Sequence, residues 1–296
     1  MTGQFTVRRI KAFRPRFAEL VDDALDRMEQ AGGPVDLMTA YALPLPSLVI
    51  CELLGVPYED RADFQRRSDT MLDLSLTMEE QLANAIAMNA YMGGLVAVQR
   101  SDPGENILGM LVRQHGDDLS DEDLTGIGNL LLIAGHETTA NMLGLGTLLL
   151  LRHPDQLALV RDDPTVVNGA VEEMLRYLSI VNNGVIRTAT EEFTLAGQVI
   201  RKGERVVMSL PAANRDPALL SEPDRFDVTR RPSAHVAFGH GIHQCLGQQL
   251  ARMELRIALP ALLRRFPGLR LAVPYEDLRY RVLAPVNGVL SLPVAW

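Results

Sequence analysis

The sequence predicts an α+β protein that is mostly α, and three observations carry that expectation. Apolar residues recur at helical spacing through the first two-thirds of the chain. After Ser179 the pattern shortens into β-prone pieces divided by glycines. Between Ser120 and His153-Pro154 nothing stops a helix of about thirty residues, roughly 45 Å at 1.5 Å per residue, and a domain holding such a helix threads it through its centre.

Helices are expected over 13–28, 62–74 and 82–98, separated by Gly32-Gly33-Pro34, Pro57 and Ser101-Asp102-Pro103-Gly104. Pro44 and Pro46 break a further apolar stretch into two shorter pieces. Ser120 and Asp123 read as a capping box that opens the long helix, and Pro154 suits the first turn of the next. Another helix covers about 165–177. Val185-Ile186-Arg187, Phe193-Thr194-Leu195, Val199-Ile200 and Val206-Val207-Met208 follow as hairpin strands around Gly184, Gly197 and Gly203. A last helix spans 247–265, and short strands return around Asn287-Gly288. There is no internal repeat, low-complexity tract or long linker, so 1–296 reads as a single domain.

With 296 residues, 47% of them hydrophobic, the chain buries a large core. Its net charge of -8 leaves no cationic excess to neutralise phosphates, which argues against nucleic acid and anionic membrane as partners. Arg8, Arg9 and Lys11 make a small basic cluster that reads as a solvated face. The apolar segment 124–151 carries His136-Glu137 at its middle, so it reads as a buried helix and not a membrane span. Cys51 and Cys245 are far apart in sequence, which fits a reducing compartment, and the N-terminus has no signal-peptide pattern. The expected location is the cytoplasm.

Three clusters carry chemistry. In Phe238-Gly239-His240-Gly241-Ile242-His243-Gln244-Cys245-Leu246-Gly247, glycines on both sides of a cysteine allow a tight loop. A helix starting at the cysteine would aim its free N–H groups at the sulfur and favour thiolate. A zinc site from His240, His243 and Cys245 is the weaker alternative, since no second ligand pair is visible. Glu173 and Arg176 stand three apart on one helix face and can pair. Ala134-Gly135-His136-Glu137-Thr138-Thr139 places small residues, a carboxylate and a hydroxyl at mid-helix, where a ligand can approach closely and protons can be delivered. Position 140 is Ala, which removes the second histidine that a zinc protease motif needs.

The cysteine loop resembles the haem-ligand signature of cytochromes P450, Phe-x-x-Gly-x-x-x-Cys-x-Gly, at Phe238, Gly241, Cys245 and Gly247. The likeness extends over nearly the whole chain, and Gly-Gln-Gln-Leu-Ala-Arg after the cysteine with the ending 292–296 is closest to soluble actinobacterial members. The resemblance implies a P450 fold and a haem b cofactor, with Cys245 as axial ligand to iron and Phe238 beside its sulfur. It implies cofactor contacts from Gly239, Gly247, Ala134 and Gly135, and propionate contacts from His243 and Arg187. Glu137 and Thr138 become the acid and hydroxyl of oxygen activation. Glu173 and Arg176 become a structural pair joined by a later arginine, for which Arg225 in Pro223-Asp224-Arg225-Phe226 is the expected third member. Leu130, Ile133, Asn183, Val185 and Ile186 would line a pocket for a small hydrophobic substrate.

The implied activity is insertion of one oxygen atom from O2, with electrons from a ferredoxin and its NAD(P)H-dependent reductase. No dinucleotide fingerprint is present, since Gly126-x-Gly128 and Gly144-x-Gly146 fall inside a helix. A peroxide-driven haem-thiolate enzyme and a remnant without catalysis are the alternatives. Phe5-Thr6-Val7-Arg8-Arg9 resembles the stretch after the third helix of complete members, so the fold is expected to be incomplete at its N-terminus and to bind haem weakly.

Overall fold

The computed structural model describes residues 5–296 apart from 74, 183, 232, 233, 282 and 283. The architecture is mostly helical with small sheets, as the sequence predicts. The first helix, α1 (Val7–Ala31), starts well before the expected residue 13 and takes Pro15 into its interior. Its buried stripe of Phe17, Leu20, Val21, Ala24, Leu25 and Met28 has the spacing of one helical face. A π-helical turn at Met38–Ala42 and α2 (Pro44–Leu54) are the two pieces divided at Pro44, which occupies the first turn of α2. Then come α3 (Arg61–Leu72), α4 (Met78–Ser101) and α5 (Ile107–His115). The start of α4 is set by a capping box between Thr77 and Glu80.

The long helix α6 (Asp121–Leu151) has 31 residues and the expected capping box. The Asp123 N–H donates to Ser120 Oγ at 3.1 Å, and the Ser120 N–H donates to the Asp123 carboxylate at 2.9 Å. Its N-terminal half puts Leu124 and Leu132 into one apolar cluster with α2, α4 and α5. The C-terminal half puts Met142, Leu143 and Leu148 into a second, larger cluster with α1 and the later helices. The helix therefore joins the two cores, and displacing it would open both.

Strand β1 (Val35–Asp36) follows α1, and short α7 (Pro154–Asp162) and α8 (Val167–Leu178) lead to the strands β2 (Val185–Thr188), β3 (Phe193–Leu195), β4 (Gln198–Ile200) and β5 (Arg205–Met208). The expected run of hairpins holds for β3 and β4 alone. β2 pairs antiparallel with β5 around them, Val185 opposite Met208 and Arg187 opposite Val206. After α9 (Leu210–Ala213) and α10 (Gln248–Arg265), β6 (Arg270–Leu271) and β7 (Pro293–Ala295) form a sheet in the order β1, β7, β6. That pairing fastens the end of α1 to the C-terminus, and the buried Tyr41 hydroxyl adds a bond to the Ala258 carbonyl of α10 at 2.8 Å.

Two buried titratable groups give this core a pH dependence. Burial pushes the Glu254 carboxyl on α10 up to about 8, and its Oε2 has no hydrogen-bond partner among the described residues. Because the folded value lies above the unfolded one, stability is full below about pH 4.5 and is lost as pH rises through about 8. His136 acts oppositely: burial holds it down at about 4, so stability is full above about 6.5 and is lost as pH falls through about 4. Glu254→Gln should abolish the alkaline loss, on the order of 2 kcal/mol between pH 6.5 and 8 at 1.36 kcal/mol per unit, and leave the acid loss intact. Urea midpoints across pH 4–9 test this; an unchanged alkaline limb would refute it.

Candidate active site

The cysteine loop is closed by its own backbone. The Cys245 N–H donates to the Phe238 carbonyl at 2.9 Å. Gly239 and Gly241 take φ of 71° and 79°, left-handed values that disfavour any residue with a Cβ, whereas Gly247 has an ordinary φ of -81°. A short 3-10 turn at Gly241–His243 precedes the cysteine, and α10 starts three residues after it, not at it as the sequence suggests. The backbone N–H groups of Gly247 and Gln248 nonetheless lie near the sulfur, the Gln248 N–H donating to the Cys245 carbonyl at 3.4 Å. Dense surroundings push the Cys245 thiol up, while those two N–H groups and the nearby Arg252 charge pull it down. By surface area Cys245 is exposed, so its packing is one-sided and its other side is open to a ligand. His240, His243 and Cys245 are not among any group of three or more His, Cys, Asp or Glu placed to hold a metal among the described residues.

Behind the loop lies a dense polar network. Glu173 and Arg176 are paired with side chains only 3% and 2% exposed, Nε to Oε2 at 2.7 Å and Nη2 to Oε1 at 2.8 Å. The third member is Arg230, not Arg225. Arg230 Nε meets Glu173 Oε1 at 3.2 Å, and its other nitrogens donate to the carbonyls of Ser221, Glu222 and Arg225. Arg225 points outward, 60% exposed, toward Glu222 and Asp227, and contributes its backbone carbonyl alone. Proximity in the Pro-Asp-Arg-Phe motif favoured Arg225, but the turn that follows carries Arg230 back over Glu173.

On α6 the side chains of Leu130 and Ile133 are 57% and 45% exposed and Ala134 is exposed, while the neighbouring faces are buried. These positions and Thr138 fall on one helical stripe. Gly135 does not belong to it: a Cβ there would meet Ile50 Cδ1 at 2.6 Å, so this glycine admits α2 and not a ligand. Thr138 Oγ1 donates to the Ala134 carbonyl at 2.7 Å, the usual mid-helix bond, with its lone pairs free to accept. The Glu137 carboxylate receives Arg281 Nη2 at 2.7 Å, a partner from the C-terminal segment that the sequence did not indicate. Its neighbour His136 donates to the Leu43 carbonyl at 3.1 Å and fastens α6 to the start of α2.

Val185 is half-buried and Ile186 is 44% exposed on β2. The exposed Arg187 makes one described bond, to the Ile186 carbonyl at 2.9 Å, which leaves its fork available to an anion. His243 is exposed as well. Asn183 lies outside the described residues. Ile133 also borders a cleft of about 540 Å³ with Met71, Ile86 and Asn129.

Sequence reasoning missed a second carboxylate. Glu172 accepts from Arg252, Arg256 and His235 at 2.8–3.1 Å, and these contacts outweigh the effect of burial and hold its carboxyl down at about 2. Arg252 lies 4.5 Å over the Phe238 ring. A charged residue beside the expected Glu173, one position around the helix, was the available signal.

A solvent-open sulfur on a glycine loop, an unclaimed guanidinium and a bare helical stripe suit a flat anionic cofactor with a metal that takes sulfur. The comparisons agree. The cytochrome P450 family model matches residues 12–269. Among curated relatives, Cytochrome P450-SU2 of Streptomyces griseolus is 51% identical over 100% of this chain and 73% of its own length. Nocardicin C N-oxygenase of Nocardia uniformis subsp. tsuyamanensis is 46% identical over 99% and 74%. A crystal structure of CYP105P1 in complex with filipin I superposes with a TM-score of 0.92 at 48% identity, covering 99% of this chain and 75% of the other. The chain belongs to the cytochrome P450 family, haem b enzymes that act as monooxygenases. It spans about three quarters of the length of these relatives.

Arg230→Ala should destabilise the fold by about 3–5 kcal/mol, because it removes one partner of a buried charge network. Arg225→Ala should stay within about 0.5 kcal/mol of the parent, as an exposed substitution does. Chemical denaturation of both variants checks the assignment; equal losses would return Arg225 to the network.

Proposed function

We propose that Cys245 would hold the haem iron through its sulfur and that this chain oxygenates a small hydrophobic molecule. The observation that carries the reading is the cysteine sulfur open on one side, on a loop held by two left-handed glycines, with the N–H groups of Gly247 and Gln248 near enough to favour its thiolate. Charge-assisted bonds of this kind stabilise a thiolate ligand. Haem held by a thiolate supplies reductive activation of O2 and transfer of one oxygen atom.

The chain's own residues then have separable tasks. Arg187 and His243 bind the propionates; a planar guanidinium matches a carboxylate bidentately. Phe238 covers the sulfur from the protein side. Leu130, Ile133, Val185 and Ile186 present an apolar wall to substrate, with Ala134 leaving room beside the cofactor. Thr138 accepts and returns protons through its hydroxyl, and Glu137 supplies them from its position one residue away on α6. Arg281 holds the Glu137 carboxylate in place from the C-terminal segment.

Electrons come from a ferredoxin served by an NAD(P)H-dependent reductase. A cleft of about 410 Å³ between α1 and α10, lined by Lys11, Arg14, Arg256 and Arg264, supports an acidic carrier on a chain that is otherwise anionic. Free Cys51 and Cys245 support a reducing, cytoplasmic setting for a single domain, and no described helix is long and apolar enough to cross a membrane.

Cys245→Ser should abolish the thiolate-type Soret band of the reduced carbon monoxide complex, since a neutral hydroxyl is a far weaker donor to iron. An unchanged band would remove Cys245 as ligand. Thr138→Ala should keep haem and lose coupling: proton-transfer groups contribute about 10²–10⁴-fold, so product per NADPH should fall at least about tenfold. Equal coupling would exclude the hydroxyl from the reaction.

A further inference from the structure

We propose that Glu172 is a positioning residue for the thiolate side of the site: it fixes and neutralises Arg252, and thereby sets the reduction potential of the bound haem. The inference rests on the reading that Cys245 ligates the iron.

The Glu172 carboxylate lies where three elements meet. It belongs to α8, receives Arg252 and Arg256 from α10, and receives His235 from the segment that enters the cysteine loop. Arg252 alone approaches it with Nε at 2.8 and 3.0 Å and with Nη2 at 2.9 Å. The remaining nitrogen, Nη1, donates to the Gln248 side chain at 2.9 Å. Every arm of the guanidinium is therefore held, and its plane rests 4.5 Å from the centre of the Phe238 ring. Phe238 and Gln248 are the same residues that touch Cys245, one through the carbonyl that accepts its N–H and the other through the N–H that donates to its carbonyl at 3.4 Å.

A structural strut would not need this arrangement. Glu173, one residue on, already ties α8 to its surroundings through Arg176 and Arg230. What Glu172 adds is a negative charge against two arginines whose nearer member is felt at the sulfur. With Glu172 ionised, Arg252 contributes geometry with most of its charge cancelled. With an amide in its place the guanidinium keeps one acceptor, the amide oxygen, and its charge is bare, and a bare cation beside a thiolate withdraws electron density from the iron and favours the ferrous state. Partial burial of the pair keeps salt from screening the effect away.

The test is the ferric/ferrous midpoint potential of haem-loaded protein by dye-mediated titration, beside the carbon monoxide spectrum, for Glu172→Gln, Arg252→Gln and the double variant. The expected result is a positive shift for Glu172→Gln, a negative shift for Arg252→Gln, and a return toward the parent value in the double variant, which removes both charges. Glu173→Gln, a purely structural loss, should lower haem content without this sign pattern. If Glu172→Gln alone fails to load haem, the double variant and Arg252→Gln still read the sign. Equal potentials in all loaded variants, or shifts of one sign in both single variants, would overturn the proposal. A parent protein without the thiolate-type spectrum would instead overturn the ligand reading on which it rests.

Discussion

A carboxylate and a guanidinium taken out of water together must find every hydrogen bond within the protein, and Glu173 and Arg176 do so by recruiting the chain that leads into the cysteine loop. Arg176 donates to the carbonyls of Asn214, Pro223 and Arg225, and Glu173 accepts from Arg230 and the Asp227 N–H. Segment 214–230 has little regular structure of its own, so these bonds are what give it a shape. Asn214 then carries the order forward. Its side chain binds Ser179 Oγ at 2.8 Å and accepts the Val236 N–H at 2.7 Å, two residues before Phe238. Desolvating such a pair costs several kcal/mol per ion, and removing one partner leaves that cost uncompensated. The loop that holds Cys245 thus has its entry defined by a charge pair on another helix.

How much of this was legible follows from which forces decide each element. The helices with a strong apolar stripe, an N-cap and a proline boundary were legible, as α6 with Ser120 and Asp123 shows. The start of α1 was misjudged because its first turns bury a single residue, Ile10, ahead of Phe17, too little apolar periodicity to read locally. Strand partners were less legible. β2 and β5 enclose a hairpin, and β1 pairs with β7 across almost the whole chain, which no local pattern encodes. In the site, the cysteine loop was legible because its glycines and its cysteine are contiguous. Arg230, Arg281 and the Glu172 cluster were not, since each partner arrives from a distant segment and an arginine by itself resembles a surface residue.

The long helix shows the same division within a single element. Gly135 and Ala134 look equivalent in sequence, yet one faces Ile50 and the other solvent. A helix that joins two apolar clusters must keep small residues where neighbouring helices press on it, so small residues on α6 have two causes. The same holds for Thr138, whose bond to the Ala134 carbonyl is ordinary helix chemistry and leaves acceptor capacity for more. Direction, not identity, separates the packing residues from those that face a ligand.

The distribution of burial over the site has a physical logic. The groups proposed to touch a cofactor, Cys245, His243 and Arg187, are exposed, and the Arg187 side chain has a single described bond, to the Ile186 carbonyl. The groups that hold them in place, Glu173, Arg176, Asn214 and His136, are almost fully buried. A ligand donor must keep bonding capacity unspent until its ligand arrives, and a flexible donor loses entropy on binding. A donor on a rigid, fully bonded support loses less, because the support was ordered when the chain folded. Burying ions and a neutral histidine is unfavourable taken alone, and the chain places these groups behind the loop and along α6, where their bonds confine the exposed sulfur. Stability given up in the support is what makes the open face specific.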